Sequence, residues 1–204
     1  MIASLVATLV ASGTVAAGAQ TRVELGPFAG VFVPLSSFEG NLGPVVHQVA
    51  VAGGGEAHLW IGEHFGLVAQ LGASPSDVRK TETRATGFGV APASVRWLSA
   101  ALAWRIAPLD LANDLRFRAG AGFVQHRGAA FARYDFPQAV TGLLGIEATW
   151  PLRAAVRVLA GIDGYVYPHR LTDTLGVQYR ERLQVNVVAK IGVLWVPAGD
   201  GEPR

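Results

Sequence analysis

Glu56 and His58 stand two residues apart, a spacing that puts a carboxylate and an imidazole on the same face of a β-strand. That pairing suggests either proton transfer or half of a metal site. The plainer reading makes both residues members of an interior lattice of ion pairs. The remaining histidines, His47, His64, His126 and His169, read as rim or connection residues. A three-histidine zinc site would need them to converge, which spacing alone does not establish. Ser74, Ser94 and Ser99 form no pair with His126 by spacing. The chain has no cysteine, so thiol catalysis, thiolate metal sites and disulfides are excluded. No G-x-G-x-x-G or Walker pattern stands between a strand and a helix. The sequence therefore nominates no catalytic, cofactor-binding or metal residue, and it implies no cofactor.

The elements that would hold these groups are strands, because apolar residues recur with a period of two. In the last one, Leu183, Val185, Val187, Ala189, Ile191, Val193 and Trp195 share one face. Arg182, Gln184, Asn186, Val188, Lys190, Gly192 and Leu194 share the other. Such a run can match a lipid-facing band, which is about 25 Å tall. The same alternation recurs over Val23–Val33, Val51–Ile61, Phe65–Ser74, Leu115–Phe123, Leu144–Trp150 and Val156–Asp163. In each, one face is apolar and the other carries charges, amides and glycine. The segment Ala93–Ile106 reads as an eighth strand of unsettled facing, because Arg96, Trp97, Trp104 and Arg105 conflict with either choice.

Long and short connections alternate. Gly62-Glu63-His64, the stretch 107–114 and Pro151-Leu152 are short; 35–50, 75–92, 127–140 and 167–181 are long. An all-β, eight-stranded antiparallel up-and-down barrel gives this pattern, with elaborate loops at one end and tight turns at the other. The polar faces then line the interior. They offer Glu24, Glu56, Glu147 and Asp163 against Arg116, Arg118, Arg157 and Lys190, with His58, Gln70, Gln184 and Asn186 beside them. An eight-stranded barrel is just wide enough to be filled by side chains, so this balance predicts a plug rather than a pore. The ten glycines on the same faces leave room for long arginines and for tight curvature. Trp60, Trp97, Trp104, Trp150 and Trp195, with Phe65, Phe123, Tyr165 and Tyr167, are expected as interfacial girdles.

Composition agrees with a chain that has two solvents. Half of the 204 residues are hydrophobic, only 16% are charged, and 25 are glycine, against about 25% charged in ordinary soluble domains. Seventeen basic and fifteen acidic residues give a net charge of only +2, with no dense basic cluster, so a nucleic-acid partner is not expected. Residues 1–19 read as a cleaved signal peptide. Ile2–Val10 supplies an apolar stretch and Ala17-Gly18-Ala19 the small residues a signal peptidase accepts, although the segment carries no Lys or Arg. Residues 20–204 form one barrel domain with a short tail at 197–204. After the leader no run of 18 apolar residues occurs, which excludes membrane-spanning helices but not spanning strands.

With VELGPFAGVFVP, FGLVAQLGAS, RFRAGAGF and LQVNVVAKIGVLWV in place, the chain resembles the small outer-membrane β-barrel family. That group includes OmpA-like transmembrane domains, OmpX-like proteins and opacity-type porins. The resemblance implies a bacterial outer-membrane location and insertion by the barrel-assembly machinery. It also implies contact with outer-membrane lipids and lipopolysaccharide. The expected role is structural or adhesive and non-enzymatic, exerted on an extracellular ligand or surface partner through loops 35–50, 75–92, 127–140 and 167–181. Many members end on an aromatic residue, whereas this sequence continues from Val196 to Arg204. No peptidoglycan-binding segment follows, so wall tethering is not expected. Two alternatives differ in kind. A soluble, lipocalin-like periplasmic binder would place apolar side chains inside. A barrel-embedded enzyme acting on lipid A or phospholipid would align a serine with a base at one rim, but His126 is followed by Arg127 and Gly128 with no serine.

Overall fold

The computed structural model describes residues 21–40, 43–81, 88–110, 113–132, 134–135 and 138–197; the expected signal peptide lies outside them. The strands in chain order are β1 (Thr21–Pro34), β2 (Phe38–Gly40), β3 (Gly43–His47), β4 (Ala50–Ile61), β5 (Phe65–Ser74), β6 (Val78–Thr81) and β7 (Phe88–Ala91). They continue with β8 (Ser94–Asp110), β9 (Asn113–Arg127), β10 (Tyr134–Asp135), β11 (Gln138–Arg153), β12 (Val156–His169), β13 (Thr172–Asp173) and β14 (Arg182–Trp195). Eight of them close a barrel in the order β1-β14-β12-β11-β9-β8-β5-β4, with every neighbouring pair antiparallel. Each barrel strand pairs with the next barrel strand in sequence. The circle closes where β1 meets β14, Leu25 opposite Trp195 and Pro34 opposite Asn186. No helix among the described residues is long and apolar enough to cross a membrane, which says nothing against spanning strands.

Alternation sets the facing. Glu24, Phe28 and Phe32 on β1 are buried, while Leu25 and Val31 between them are exposed. The other strands keep this rule, so the apolar faces point away from the barrel and the polar faces into it. β8 obeys it as well. Val95, Trp97, Ser99, Ala101 and Ala103 are buried, and Arg105 points the same way; Arg96, Leu98, Leu102 and Trp104 are exposed. Trp97 fits inside because Gly72 lies opposite it. A Cβ at Gly72 would come within 2.3 Å of the indole.

Two of the expected short connections are corrected. Pro151 and Leu152 belong to β11, and the turn falls at Ala154–Ala155. Pro151 lies two residues past Thr149, whose partner on β9 is Asp114, and stands opposite Arg157 on β12. Most of 107–114 is also strand, since β8 runs to Asp110 and β9 starts at Asn113. The register shifts at Arg105/Ala107 and Pro108/Asp110 absorb the irregularity.

The aromatics divide between two roles. Phe65, Trp104, Trp150 and Trp195 are exposed toward the short-turn end, as a girdle requires. Trp60, Trp97, Tyr165 and Tyr167 are buried in the interior, contrary to the expectation. The inward glycines serve both expected purposes. At Gly26, Gly30 and Gly120 a Cβ would strike the adjacent strand's backbone at 1.7, 2.1 and 2.1 Å, so curvature demands them. At Gly145 it would lie 2.4 Å from Asp163 and 2.8 Å from Arg118, so this glycine makes room for an ion pair.

The four long connections form a cap. β2, β3, β6 and β7 make one small antiparallel sheet, and β10 pairs with β13. Phe38, Val45, Val78, Ala93, Ala130, Phe131 and Leu171 form a separate apolar core beneath them. The segment 129–131 turns once as a 3-10 helix.

Candidate functional site

Inside the short-turn half of the barrel lies a lattice of ion pairs. Arg116 grips Glu24 with both guanidinium nitrogens, at 2.7 and 3.1 Å, and reaches Asp114 at 3.0 Å and Glu147 at 3.4 Å. One layer further in, Arg118 clasps Asp163 and also meets Glu56 at 3.3 Å and Glu147 at 3.4 Å. Lys190 bonds to Glu56 and lies 3.5 Å from Asp163. Gln70 links the lattice outward, donating to Asp163 and accepting from the Tyr165 hydroxyl. Below it, the guanidinium groups of Arg105 and Arg116 each lie over the Trp60 ring, 4.7 and 4.6 Å from its centroid. All eight charges expected inside the barrel are found there. Arg22, Arg105 and Asp114 join them, three groups at strand ends whose inward facing the sequence did not reveal.

Glu56, His58 and Glu147 bring ligand-type atoms within 4.8 Å of one another, all buried. His58 approaches Glu56 at 3.3 Å and Glu147 at 3.6 Å. The donor set suits a cation in type, but its charge is already answered. Glu56 is held by Arg118 and Lys190, and Glu147 by Arg116 and Arg118. A divalent ion would have to displace arginine or lysine within a buried site, leaving those cations without their counter-charges. The pair singled out by spacing is therefore part of the lattice.

The long-loop half of the interior is apolar and aromatic, formed by Phe28, Phe32, Trp97, Leu143, Tyr165, Tyr167 and Val188. Where it meets the cap, three histidines converge that the sequence had scattered along rims and connections. His47 from β3, His126 from the end of β9 and His169 from the end of β12 are all buried. Phe38 stands edge-on to them at ring distances of 5.9, 4.8 and 5.4 Å. One set of tautomers satisfies the hydrogen bonds. His47 Nδ1 must donate to the Ser76 carbonyl (2.9 Å), which leaves Nε2 to accept from His126 Nδ1 (3.0 Å). His126 Nε2 then accepts from the Tyr167 hydroxyl (3.0 Å), which itself accepts from Asn186 (2.7 Å). Both rings are neutral in this chain. Burial pushes His47 down to about 4, against the raising effect of the Ser76 hydrogen bond. The one advance signal was positional: all three histidines border long connections, and so belong to one end of the barrel.

The serines stand apart from this base. Ser74 donates to the Val51 carbonyl, Ser99 is buried in the wall, and both nitrogens of His126 are engaged. Ser94 lies beside Arg127 on the outer rim.

A closed eight-stranded antiparallel barrel, apolar outside and charged within, defines a small membrane-type barrel. The solved structures it resembles belong to that class. The outer membrane protein AlkL in lipid bilayers matches with a TM-score of 0.62 at 11% identity, covering 94% of this chain and 97% of that one. OprG from Pseudomonas aeruginosa matches at 0.58 and 9%, covering 87% and 93%. A major outer membrane protein from Thermus thermophilus matches at 0.53 and 12%, covering 87% and 99%. No protein-family model matches the chain, and no curated protein matches it in sequence. At these identities the likeness is one of fold.

Proposed function

We propose that the chain is a non-enzymatic protein of the bacterial outer membrane, with a structural or adhesive role exerted through its cap. The observation that carries this reading is the inversion of the molecule. Leu67, Leu102, Leu144, Ile162 and Ile191 are exposed while Glu24, Glu56, Arg116, Arg118 and Lys190 are buried. In water such a surface would aggregate, and in lipid it is the stable arrangement. A lipocalin-like binder needs the opposite facing and an apolar cavity, and here charges and rings fill the interior. The same inversion supports contact with outer-membrane lipids and lipopolysaccharide, and insertion by the barrel-assembly machinery after removal of residues 1–19. The connections 35–50, 75–92, 127–140 and 167–181 would face the outside and meet an extracellular ligand or surface partner; no nucleic acid is implied.

The test is extraction from outer-membrane vesicles followed by electrophoresis with and without heating. The folded barrel is expected to migrate differently from the boiled chain and to require detergent. A mature protein that remains soluble and monomeric without detergent overturns the proposal.

A further inference from the structure

Arg96, the residue whose facing the sequence left open, points outward from β8 beside Ala73 of β5 and Gln125 of β9. Toward the membrane centre, the next outward row is Leu71, Leu98, Phe123 and Val140, exposed by 54, 48, 61 and 64%. In the other direction the next outward row holds Ser94 and Arg127. Rows on one face are about 6.6 Å apart along a strand, so two guanidinium groups lie just above the apolar belt at the long-connection end. Arg127 donates from Nε to Gln125 at 2.8 Å. Among the described residues neither arginine has a carboxylate partner, whereas the exposed Arg170 and Arg182 pair with Glu181 and Glu39. Gln138 of β11, exposed beside Gln125, adds an amide to the patch. Elsewhere at this end the exposed apolar residues include Leu183, Leu35 and Val49, and the Asp77 carboxylate accepts from the Ala93 amide.

Two unanswered guanidinium groups over an apolar wall fit an amphiphile with an anionic head. Guanidinium groups bind phosphate in a fork and give up hydration more readily than an ammonium. We propose that Arg96 and Arg127, with Gln125 and Gln138, bind the phosphates of a phosphorylated glycolipid of the outer leaflet. Its acyl chains lie on Leu71, Leu98, Phe123 and Val140. The assignment to the outer leaflet rests on the membrane reading above, with the long connections outside.

The test is native mass spectrometry of the purified barrel in detergent. The probes are diphosphorylated lipid A, the same glycolipid stripped of phosphate, and inorganic phosphate. Wild type should retain the phosphorylated form about tenfold better than the stripped form, as charge-assisted hydrogen bonds require. R96A/R127A should lose about that factor, and R96K/R127K should recover part of it. Equal retention by wild type and R96A/R127A, or of both glycolipids by wild type, overturns the proposal. So does displacement of the glycolipid by inorganic phosphate, which would make the patch a site for free anions. Heat-dependent migration checks that each variant is folded. If R96A/R127A does not fold, wild type alone decides: retention must fall several-fold on raising salt to about 0.5 M, and retention indifferent to salt refutes the site. A chain that needs no detergent fails before any lipid is added, which separates the two proposals.

Discussion

Glu147 and Arg157 look alike in the sequence, each a charge on an inward face, yet their surroundings differ. Glu147 is fully buried and answers Arg116, Arg118 and His58 at 3.4, 3.4 and 3.6 Å. Arg157 lies at the short-turn mouth, partly exposed, and shares Asp114 with Arg105 and Arg116. Glu147→Ala leaves buried guanidinium groups short of a counter-charge and should cost about 3–5 kcal/mol. Arg157→Ala leaves Asp114 with two partners and should cost about 1 kcal/mol or less. Urea unfolding in detergent micelles checks the order, and equal losses would show that the lattice does not distinguish its centre from its mouth. The inner charges were legible because alternation assigns a face to every residue of a strand. Arg105 and Asp114 were not, because Arg105 lies in the strand whose facing its own residues leave open and Asp114 lies in a stretch that reads as a connection.

At the scale of elements, the cap depends on a neutral imidazole. His47 is packed against Phe32, Phe38 and Phe131 and takes up a proton only near pH 4, against an ordinary value of 6.5. An undocked loop would protonate the same ring near the ordinary value. Between these two pH values the undocked state holds the extra proton, so acidification favours it. Docking of β2 and β3 is therefore at full strength above pH 6.5 and should weaken by up to about 3 kcal/mol as pH falls to 4. Nuclear magnetic resonance signals of the backbone amides of residues 45–47 should broaden or shift over that range while those of β14 stay fixed. Cap signals that are constant down to pH 4 would show that docking does not depend on the protonation of His47. The eighth strand makes a related point about elements. Its two tryptophans have opposite fates, Trp97 inside against Gly72 and Trp104 outside in the girdle. Composition could not separate them, because the deciding partner lies on a neighbouring strand.

The whole molecule is a closed wall around a filled interior. Trp60 and its two arginines occupy the short-turn mouth, the ion pairs the layers above, and Phe28, Trp97 and Tyr165 the layers above those. Reconstituted in a planar bilayer, the protein should show no steady conductance. A large, stable pore would mean that the interior packing is not the state the barrel adopts in lipid.

The sequence by itself determined that there are eight barrel strands, their antiparallel meander, and the inward facing of the eight charges from Glu24 to Lys190. Each follows from a local rule, since side chains alternate along a strand and a tight turn forces the next strand back alongside. It also placed the apolar faces outside, because arginine and glutamate cannot face lipid cheaply. Only the tertiary structure decided which charges pair, where His47, His126 and His169 meet, and that the long connections pair with one another into a cap. Those outcomes depend on distance across the barrel rather than along the chain. His47 and His126 lie 79 residues apart in sequence and 3.0 Å apart in space, and no period of two contains that relation.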